Sequence, residues 1–244
     1  MSNFQLKIIA IIGMFAGHIG YGLAASPYIK ANFELEINLL YVLGSIAPPI
    51  FAFLISEGVV HTRSVRKYFT VMCIFALVSE IPYNMLRSVY RFHTLSIFYP
   101  RMQNVLFTLA LGIAAIVLYK KLVQQTDFLS RFFCILLIMI TLITAHLLRV
   151  DYGWIMVFAI LMLYILRNSR LRLPIFAVLM LIYFLLMSYT PQFYRTAGTL
   201  IAIVLLYLYN GQRGAKINKW FFYIFYPVHL LVIAFFAAAI FGYL

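Results

Sequence analysis

Apolar runs long enough for membrane-spanning helices follow one another along almost the whole chain, with only short polar segments between them. Hydrophobic residues make up 65% of the sequence and charged residues only 10%. A soluble domain has roughly a quarter of its residues charged, so this chain cannot cover its surface with polar groups. The surface must face lipid, which excludes soluble enzymes, disordered tails and disulfide scaffolds. We predict an all-α polytopic integral membrane protein that forms a single transmembrane domain over residues 1–244.

The lengths of these runs predict nine membrane spans. A bilayer core about 30 Å thick needs roughly 17–25 apolar residues per helix, and fewer where other helices surround it. The predicted spans are 6–25, 38–58, 68–86, 104–119, 132–148, 153–166, 173–188, 194–209 and 220–243. The sixth and seventh are short. Treating them as a re-entrant pair would place Arg167, Arg170 and Arg172 at membrane depth, which is costly.

The basic residues predict the orientation. The chain has 19 Lys and Arg against 6 Asp and Glu. With the N-terminus inside, 13 of the 19 basic residues fall in cytoplasmic segments, where such residues concentrate in membrane proteins. We therefore expect the N-terminus inside and the C-terminus outside. The same distribution explains the positive charge without a nucleic-acid partner.

Ionisable side chains inside the apolar runs indicate function, because they are costly in lipid. They are His18 and His229 in the first and last spans, and Glu57 and Glu80 in the second and third. With a rise of about 1.5 Å per residue, both histidines fall near the middle of the bilayer. Two histidines and two carboxylates sharing a polar cavity are typical of proton transfer or cation binding.

The same residues also have structural interpretations. An isolated intramembrane histidine such as His146 can simply hydrogen-bond a neighbouring helix. Glu57 and Glu80 can pair with Arg63 or Arg87.

Other polar features of the spans favour structural roles. The Pro48-Pro49 pair predicts a kink or an interruption in the second span, and Asp151 an interfacial ion pair with a neighbouring arginine. Both cysteines lie inside apolar runs and predict neither a disulfide nor a metal site. The sequence contains no HExxH, GxSxG, Walker or CxxC motif.

Several segments taken together resemble the TraX family, whose founding member is the pilin N-acetylase of conjugative plasmids. The segments occur in the family order and extend over nearly the whole chain: LKIIAIIGMFAGHIG at 6–20, GSIAPPIFAFLISEGVVHTRSVRKY at 44–68, SEIPYN at 79–84, NVLFTLALG at 104–112, DYGW at 151–154 and KWFFYIFYPVHLL at 219–231.

This resemblance implies a membrane-embedded acyltransferase that uses acetyl-CoA from the cytosol and needs no metal. The family is similar to a larger group of membrane acyltransferases with a basic residue and a histidine on the first helix. The resemblance implies His18 as the central catalytic residue, in a bacterial cytoplasmic membrane. The supporting residues it implies are Lys7, Glu57, His61, Glu80, Asn104, Asp151 and His229.

The positions of the basic residues indicate two further groups of candidate binding residues, one on each side of the membrane. Basic clusters on the cytoplasmic side, including Arg63 and Lys67, would attract the phosphates of acyl-CoA. Arg87, Arg91 and Arg101 lie on the outer side against the charge rule, where they would recognise an anionic acceptor. The acceptor stays open among a peptide, a lipid and an envelope polymer.

Two positions depart from the family pattern. The family has an Asp-His pair where this chain has Gly17-His18, and Gly-Arg where this chain has Gly44-Ser45. Either the roles of the missing Asp and Arg have moved to other residues, or the activity is altered or absent. Two other functions remain alternatives: a proton-coupled transporter or flippase, and a non-enzymatic membrane interaction protein.

Overall fold

The computed structural model describes residues 1–99, 101–186, 192–216 and 218–243. Within these residues the chain forms ten α-helices and no named strand. The helices are α1 (Asn3–Leu23), α2 (Pro27–Asn32), α3 (Glu34–His61), α4 (Val65–Phe92), α5 (Val105–Gln124), α6 (Phe128–Leu147), α7 (Gly153–Ile165), α8 (Arg172–Leu186), α9 (Gln192–Tyr207) and α10 (Lys219–Phe241). The last two residues of the predicted seventh span, 173–188, lie outside the described residues.

The helices confirm an all-α polytopic membrane protein. Six of the described helices, α1, α3, α4, α5, α6 and α10, are long and apolar enough to cross a membrane. The shorter apolar helices α7, α8 and α9 coincide with the sixth, seventh and eighth predicted spans. The count of nine spans and their orientation remain predictions.

Two helices differ from what the sequence pattern predicted. The prolines at 48 and 49 do not interrupt α3, which is helical from Glu34 to His61, so the predicted interruption is wrong. Helix α4 extends beyond the predicted end of the third span at residue 86 to Phe92, so Arg87 and Arg91 lie on a helix rather than in the predicted outer connection. Neighbouring helices can stabilise a membrane helix whose prolines have removed backbone hydrogen bonds, and local sequence does not reveal those neighbours.

The described chain divides into two compact units. The first contains Met1–Ile50, Leu77–Pro100 and Ser188–Leu244, and the second contains Phe51–Ala76 and Arg101–Met187. In the first unit α1 packs against α10, and in the second α5 packs against α6 and α7.

The second unit shows how a short helix can be accommodated. Helix α7 has 13 residues and buries apolar side chains around its circumference, from Ile155 to Tyr164. A helix that is hydrophobic on all sides belongs in a protein interior, which agrees with this burial. By contrast α6 exposes most of its apolar side chains, as expected for a helix in contact with lipid.

Candidate functional site

The two mid-membrane histidines meet in the first unit. His18 on α1 and His229 on α10 are joined by a hydrogen bond of 2.8 Å between Nδ1 of His18 and Nε2 of His229. His229 is only 4% exposed, and its ring stacks on Phe225 with the centroids 4.7 Å apart. Phe15 and Tyr226 contact the same ring edge-on. The expected juxtaposition of the two histidines is therefore present, within an aromatic enclosure.

The hydrogen bonds of this pair assign the ring protons. Nδ1 of His229 lies 2.7 Å from the carbonyl oxygen of Phe225, which can only accept, so this nitrogen carries the hydrogen. In the neutral ring Nε2 of His229 is then the acceptor, and Nδ1 of His18 donates to it. Nε2 of a neutral His18 is left with its lone pair. This nitrogen is in the form required of a proton acceptor.

A second polar group lies beside the histidine pair, around Tyr21. The ring centroids of His18 and Tyr21 are 6.4 Å apart. Nη2 of Arg195 donates a hydrogen bond to the Tyr21 hydroxyl, and the guanidinium of Arg87 lies 5.3 Å from the centroid of the Tyr21 ring. The charge of Arg87 also acts electrostatically on His18. Arg87 was one of the predicted acceptor-binding residues, whereas sequence reasoning missed Arg195.

Close packing of α1 on α3 explains why Gly17 precedes His18. A Cβ atom at Gly17 would lie 2.7 Å from the Cα of Gly44, and one at Gly13 would lie 2.5 Å from the carbonyl oxygen of Leu43. The two backbones are therefore in contact, as in small-residue packing of membrane helices. An aspartate cannot occupy position 17 in this arrangement.

Lys7 lies in a separate pocket at the start of α1. The pocket has a volume of about 50 Å³, and Lys7, Arg213 and Lys216 line it together with Phe222. The ammonium of Lys7 lies 5.4 Å from the centroid of the Phe222 ring. The backbone N–H groups of Asn3 and Phe4 donate to carbonyls of the α9–α10 connection, so these two amides are not available to an anion.

Glu57 forms an ion pair in the second unit. Its Oε1 lies 2.7 Å from Nη2 of Arg172, and each side chain is 13% exposed. Arg172 also donates to the Ser56 hydroxyl at 3.1 Å and to the Leu163 carbonyl at 2.9 Å. His61, one turn further along α3, is 70% exposed and lies 3.7 Å from Glu57 Oε2. The carboxylate therefore has a structural partner, but Arg172 rather than the expected Arg63.

Two further candidates are engaged in structural hydrogen bonds. Asn104 is fully buried, caps α5 by accepting from the Leu106 N–H at 3.0 Å, and donates to the Ala76 carbonyl at 2.8 Å. The carboxylate of Asp151 accepts from the N–H of Tyr152 at 3.1 Å, at the start of α7. This geometry favours structural roles for both residues over contact with donor or acceptor.

The remaining candidates are one half-buried carboxylate and four exposed cations. Glu80 is half-buried on α4 in the first unit. The other four are exposed cations: Arg63, Lys67, Arg91 and Arg101. Among the described residues no group of three or more His, Cys, Asp or Glu side chains is placed to hold a metal ion.

Comparison with known proteins agrees with the resemblance seen in the sequence. The TraX protein family matches residues 2–237. A curated relative, "Probable fimbrial assembly protein FimC, serogroup H1" of Dichelobacter nodosus, is 26% identical over 246 residues, covering 95% of this chain and 94% of the relative. No solved structure matches the chain. Because the family match extends over nearly all of its length, this chain belongs to the TraX family.

Proposed function

We propose that this TraX-family protein is a membrane-embedded acyltransferase in which His18 is the general base. The observation that carries the proposal is the His18–His229 hydrogen bond of 2.8 Å. It leaves Nε2 of His18 able to accept a proton and orients the ring through a residue that is itself fixed to the Phe225 carbonyl. A base held in this way by a third group is the arrangement that activates nucleophiles in acyl-transfer enzymes.

The proposed reaction transfers an acetyl group from acetyl-CoA. Nε2 of His18 removes a proton from an acceptor hydroxyl or amine, whose oxygen or nitrogen attacks the thioester carbonyl carbon. The carbon–sulfur bond breaks, the acetyl ester or amide forms, and His18 returns the proton to the CoA sulfur. When His18 is protonated, its Nδ1–H still donates to His229, which stabilises the imidazolium without a neighbouring carboxylate.

The pocket at Lys7 supports acyl-CoA as the donor. Lys7, Arg213 and Lys216 place three positive charges around one small cavity. Lys7 and His18 are eleven residues apart on α1, which corresponds to about 16 Å along a helix. CoA carries its phosphates and its thioester at opposite ends of a long flexible arm. The phosphates would bind at Lys7 while the thioester reaches His18.

The location and acceptor follow from the same proposal. We place the protein in the bacterial cytoplasmic membrane, with Lys7 on the cytosolic side. The acceptor would be a peptide, a lipid or an envelope polymer. The name of the Dichelobacter nodosus relative makes a fimbrial component one candidate for the peptide.

Transfer of a radiolabelled acetyl group tests the proposal. Membranes containing the wild-type protein should move label from acetyl-CoA to a membrane-associated product. His18→Ala should reduce the rate at least about a hundredfold, as expected for loss of a general base. His146→Ala is the matched control, because His146 is an exposed histidine on α6 and its loss should leave the rate unchanged. Full activity of a well-folded His18→Ala protein would overturn the assignment.

A proton-coupled transporter is the second candidate, favoured by one observation. Exposed His61 lies 3.7 Å from largely buried Glu57, so two titratable groups connect the surface to the interior of the second unit. Transport would require substrate movement that depends on a proton gradient in sealed vesicles. Acyl transfer that continues in detergent, where no proton gradient exists, would show that the activity is not driven by a gradient and would favour the acyltransferase over the transporter.

A further inference from the structure

Tyr21 brings two guanidinium groups together beside the histidine pair. Arg195 on α9 donates to the phenol hydroxyl, at the rim of the ring, and Arg87 on α4 lies over the ring face at 5.3 Å. Arg87 also lies 5.8 Å from the centroid of the Tyr83 ring. The two cations therefore approach one side chain from different directions rather than in a common plane.

The surroundings of Tyr21 strengthen electrostatic interactions. Its ring lies 5.1 Å from that of Tyr41 and 5.2 Å from that of Tyr90, measured between centroids. Tyr21 and Arg87 are both half-buried, on helices α1 and α4 that are candidate membrane spans. Partial burial lowers the effective dielectric constant, so an anion that contacts a guanidinium group there gains more electrostatic energy than it would in water.

We infer that Arg87, Arg195 and the hydroxyl of Tyr21 bind a phosphate group. This phosphate belongs to the headgroup of a phospholipid that is the acyl acceptor. The identification of the bound lipid as an acyl acceptor rests on the proposed function. Binding of the phosphate group itself does not depend on catalysis. A planar carboxylate is matched by one guanidinium fork, whereas donors arranged in different directions suit a tetrahedral oxyanion.

The distance to His18 limits the size of the acceptor. The ring centroids of His18 and Tyr21 are 6.4 Å apart, so the nucleophile and the phosphate must be separated by only a few bonds. A glycerol phosphate or ethanolamine phosphate headgroup meets this requirement, because its free hydroxyl or amine follows the phosphate closely. The acyl chains of such a lipid would stay in the bilayer that surrounds α1 and α4.

Binding of small probes to the full chain in an uncharged detergent tests the subsite without an activity assay. The probes are glycerol 1-phosphate, uncharged glycerol and the carboxylate 3-hydroxypropionate, followed by calorimetry. We expect binding of glycerol 1-phosphate alone. Arg87→Gln and Arg195→Gln should each weaken it about tenfold or more, the effect of losing one charge-assisted hydrogen bond. Lys30→Gln is the matched control, since Lys30 is an exposed cation on α2 with no role in the proposed subsite.

Further variants cover the case in which a glutamine variant does not fold. Arg87→Lys and Arg195→Lys keep the charge but not the guanidinium fork, and they should weaken binding less than the glutamine substitutions. Tyr21→Phe removes only the hydroxyl bound by Arg195 and should also weaken binding. Equal affinity of all these variants and the wild type would overturn the subsite.

Lipid competition distinguishes the possible sources of the phosphate. Phosphatidylglycerol in mixed micelles should displace glycerol 1-phosphate, whereas a diacylglycerol, which has a free hydroxyl but no phosphate, should not. Displacement by neither lipid would overturn the lipid assignment, and equal binding of 3-hydroxypropionate would show a carboxylate site instead, as for an acidic peptide.

His18→Ala separates this inference from the proposed function. It should abolish acetyl transfer and leave binding of glycerol 1-phosphate unchanged. If the wild type binds the probe but never transfers acetyl groups, the proposed function fails and the subsite stands. If transfer occurs and the arginine variants bind the probe normally, the subsite alone fails.

Discussion

Removal of the Glu57 carboxylate should destabilise the protein more than most surface substitutions would. Glu57 and Arg172 form a bond of 2.7 Å with each side chain only 13% exposed. Breaking one partner of a buried pair typically costs 3–5 kcal/mol, because the other charge stays buried without compensation. Arg172 would keep its bonds to Ser56 and Leu163, so the lower end applies. For Glu57→Gln we expect a loss of about 3 kcal/mol in the free energy of unfolding.

A double-mutant cycle isolates this interaction. The double variant Glu57→Met, Arg172→Met removes both charges, so neither is left buried without a partner. Its free energy of unfolding should lie within about 1 kcal/mol of that of the wild type. The free energy of unfolding is measured by titrating the protein from a mild detergent into sodium dodecyl sulfate and following helicity. With the single variants Glu57→Met and Arg172→Met added, the cycle gives the coupling energy of the pair.

Glu36→Gln is the matched control for this cycle. Glu36 is an exposed glutamate in the first turn of the same helix, and its substitution should change stability by less than about 0.5 kcal/mol. A Glu57→Gln protein that is as stable as the control would show that water compensates the Arg172 charge. The argument from burial would then be wrong.

Three further predictions follow from the fold. Gly17→Asp should lower stability by about 1–3 kcal/mol or prevent folding, because its Cβ would meet the α3 backbone, whereas Ala16→Ser should be tolerated in the same thermal unfolding assay. An alkaline phosphatase fusion at the C-terminus should be active in a bacterial host and one at Gln125 inactive, and the reverse pattern would refute the orientation. Hydrogen bonds from Ser130 lower the pKa of the Asp127 carboxyl below its usual value of 3.8. The ionised Asp127 side chain therefore stabilises the protein above pH 3.8 by capping α6, and this stabilisation is lost as the pH falls through the lowered pKa. The difference in melting temperature between wild type and Asp127→Ala should shrink as the pH falls below about 3.8, and a constant difference would contradict this.

The sequence predicted the helices well because length and apolarity are local properties. Each of the six long apolar helices overlaps a predicted span, and so does each of the three shorter ones. One error concerns proline, because the interruption predicted at Pro48-Pro49 is absent from α3. Another concerns a helix end, because α4 extends beyond the predicted boundary at residue 86 to Phe92 and carries Arg87. Tertiary contacts decide whether a proline ends a membrane helix, and a single sequence does not contain them.

Partners between helices were harder to predict than the helices themselves. His18 and His229 were found because both are ionisable and lie at similar depths in the first and last spans. Glu57 was expected to pair with Arg63, a near neighbour in sequence, but its partner Arg172 is 115 residues away. Arg195 gave one signal, a cation in an outer segment against the charge rule, but nothing in the sequence connected it with Tyr21.

The two departures from the family pattern are connected through the packing of α1, α3 and α9. Gly17 allows α1 to touch α3 at Gly44, and this excludes an aspartate beside His18. On the next residue of α3, Ser45 faces Gly198 of α9, where a Cβ atom would lie 2.8 Å from that of Ser45. A large arginine at position 45 would disturb this contact, but Arg195 lies one turn earlier on α9 and bonds Tyr21.

Under the proposed function, another helix would supply each of the two groups that the family pattern contains and this chain lacks. His229 would orient His18 in place of the aspartate, and Arg195 would offer a guanidinium in place of the arginine. Each buried ionisable group is costly in a membrane protein, and His18, Arg87 and Arg195 all lie around Tyr21. The proposed function predicts that the two roles have moved to other residues. Transfer of the aspartate back to position 17 should then fail to improve activity, because the space it needs is filled by Gly44.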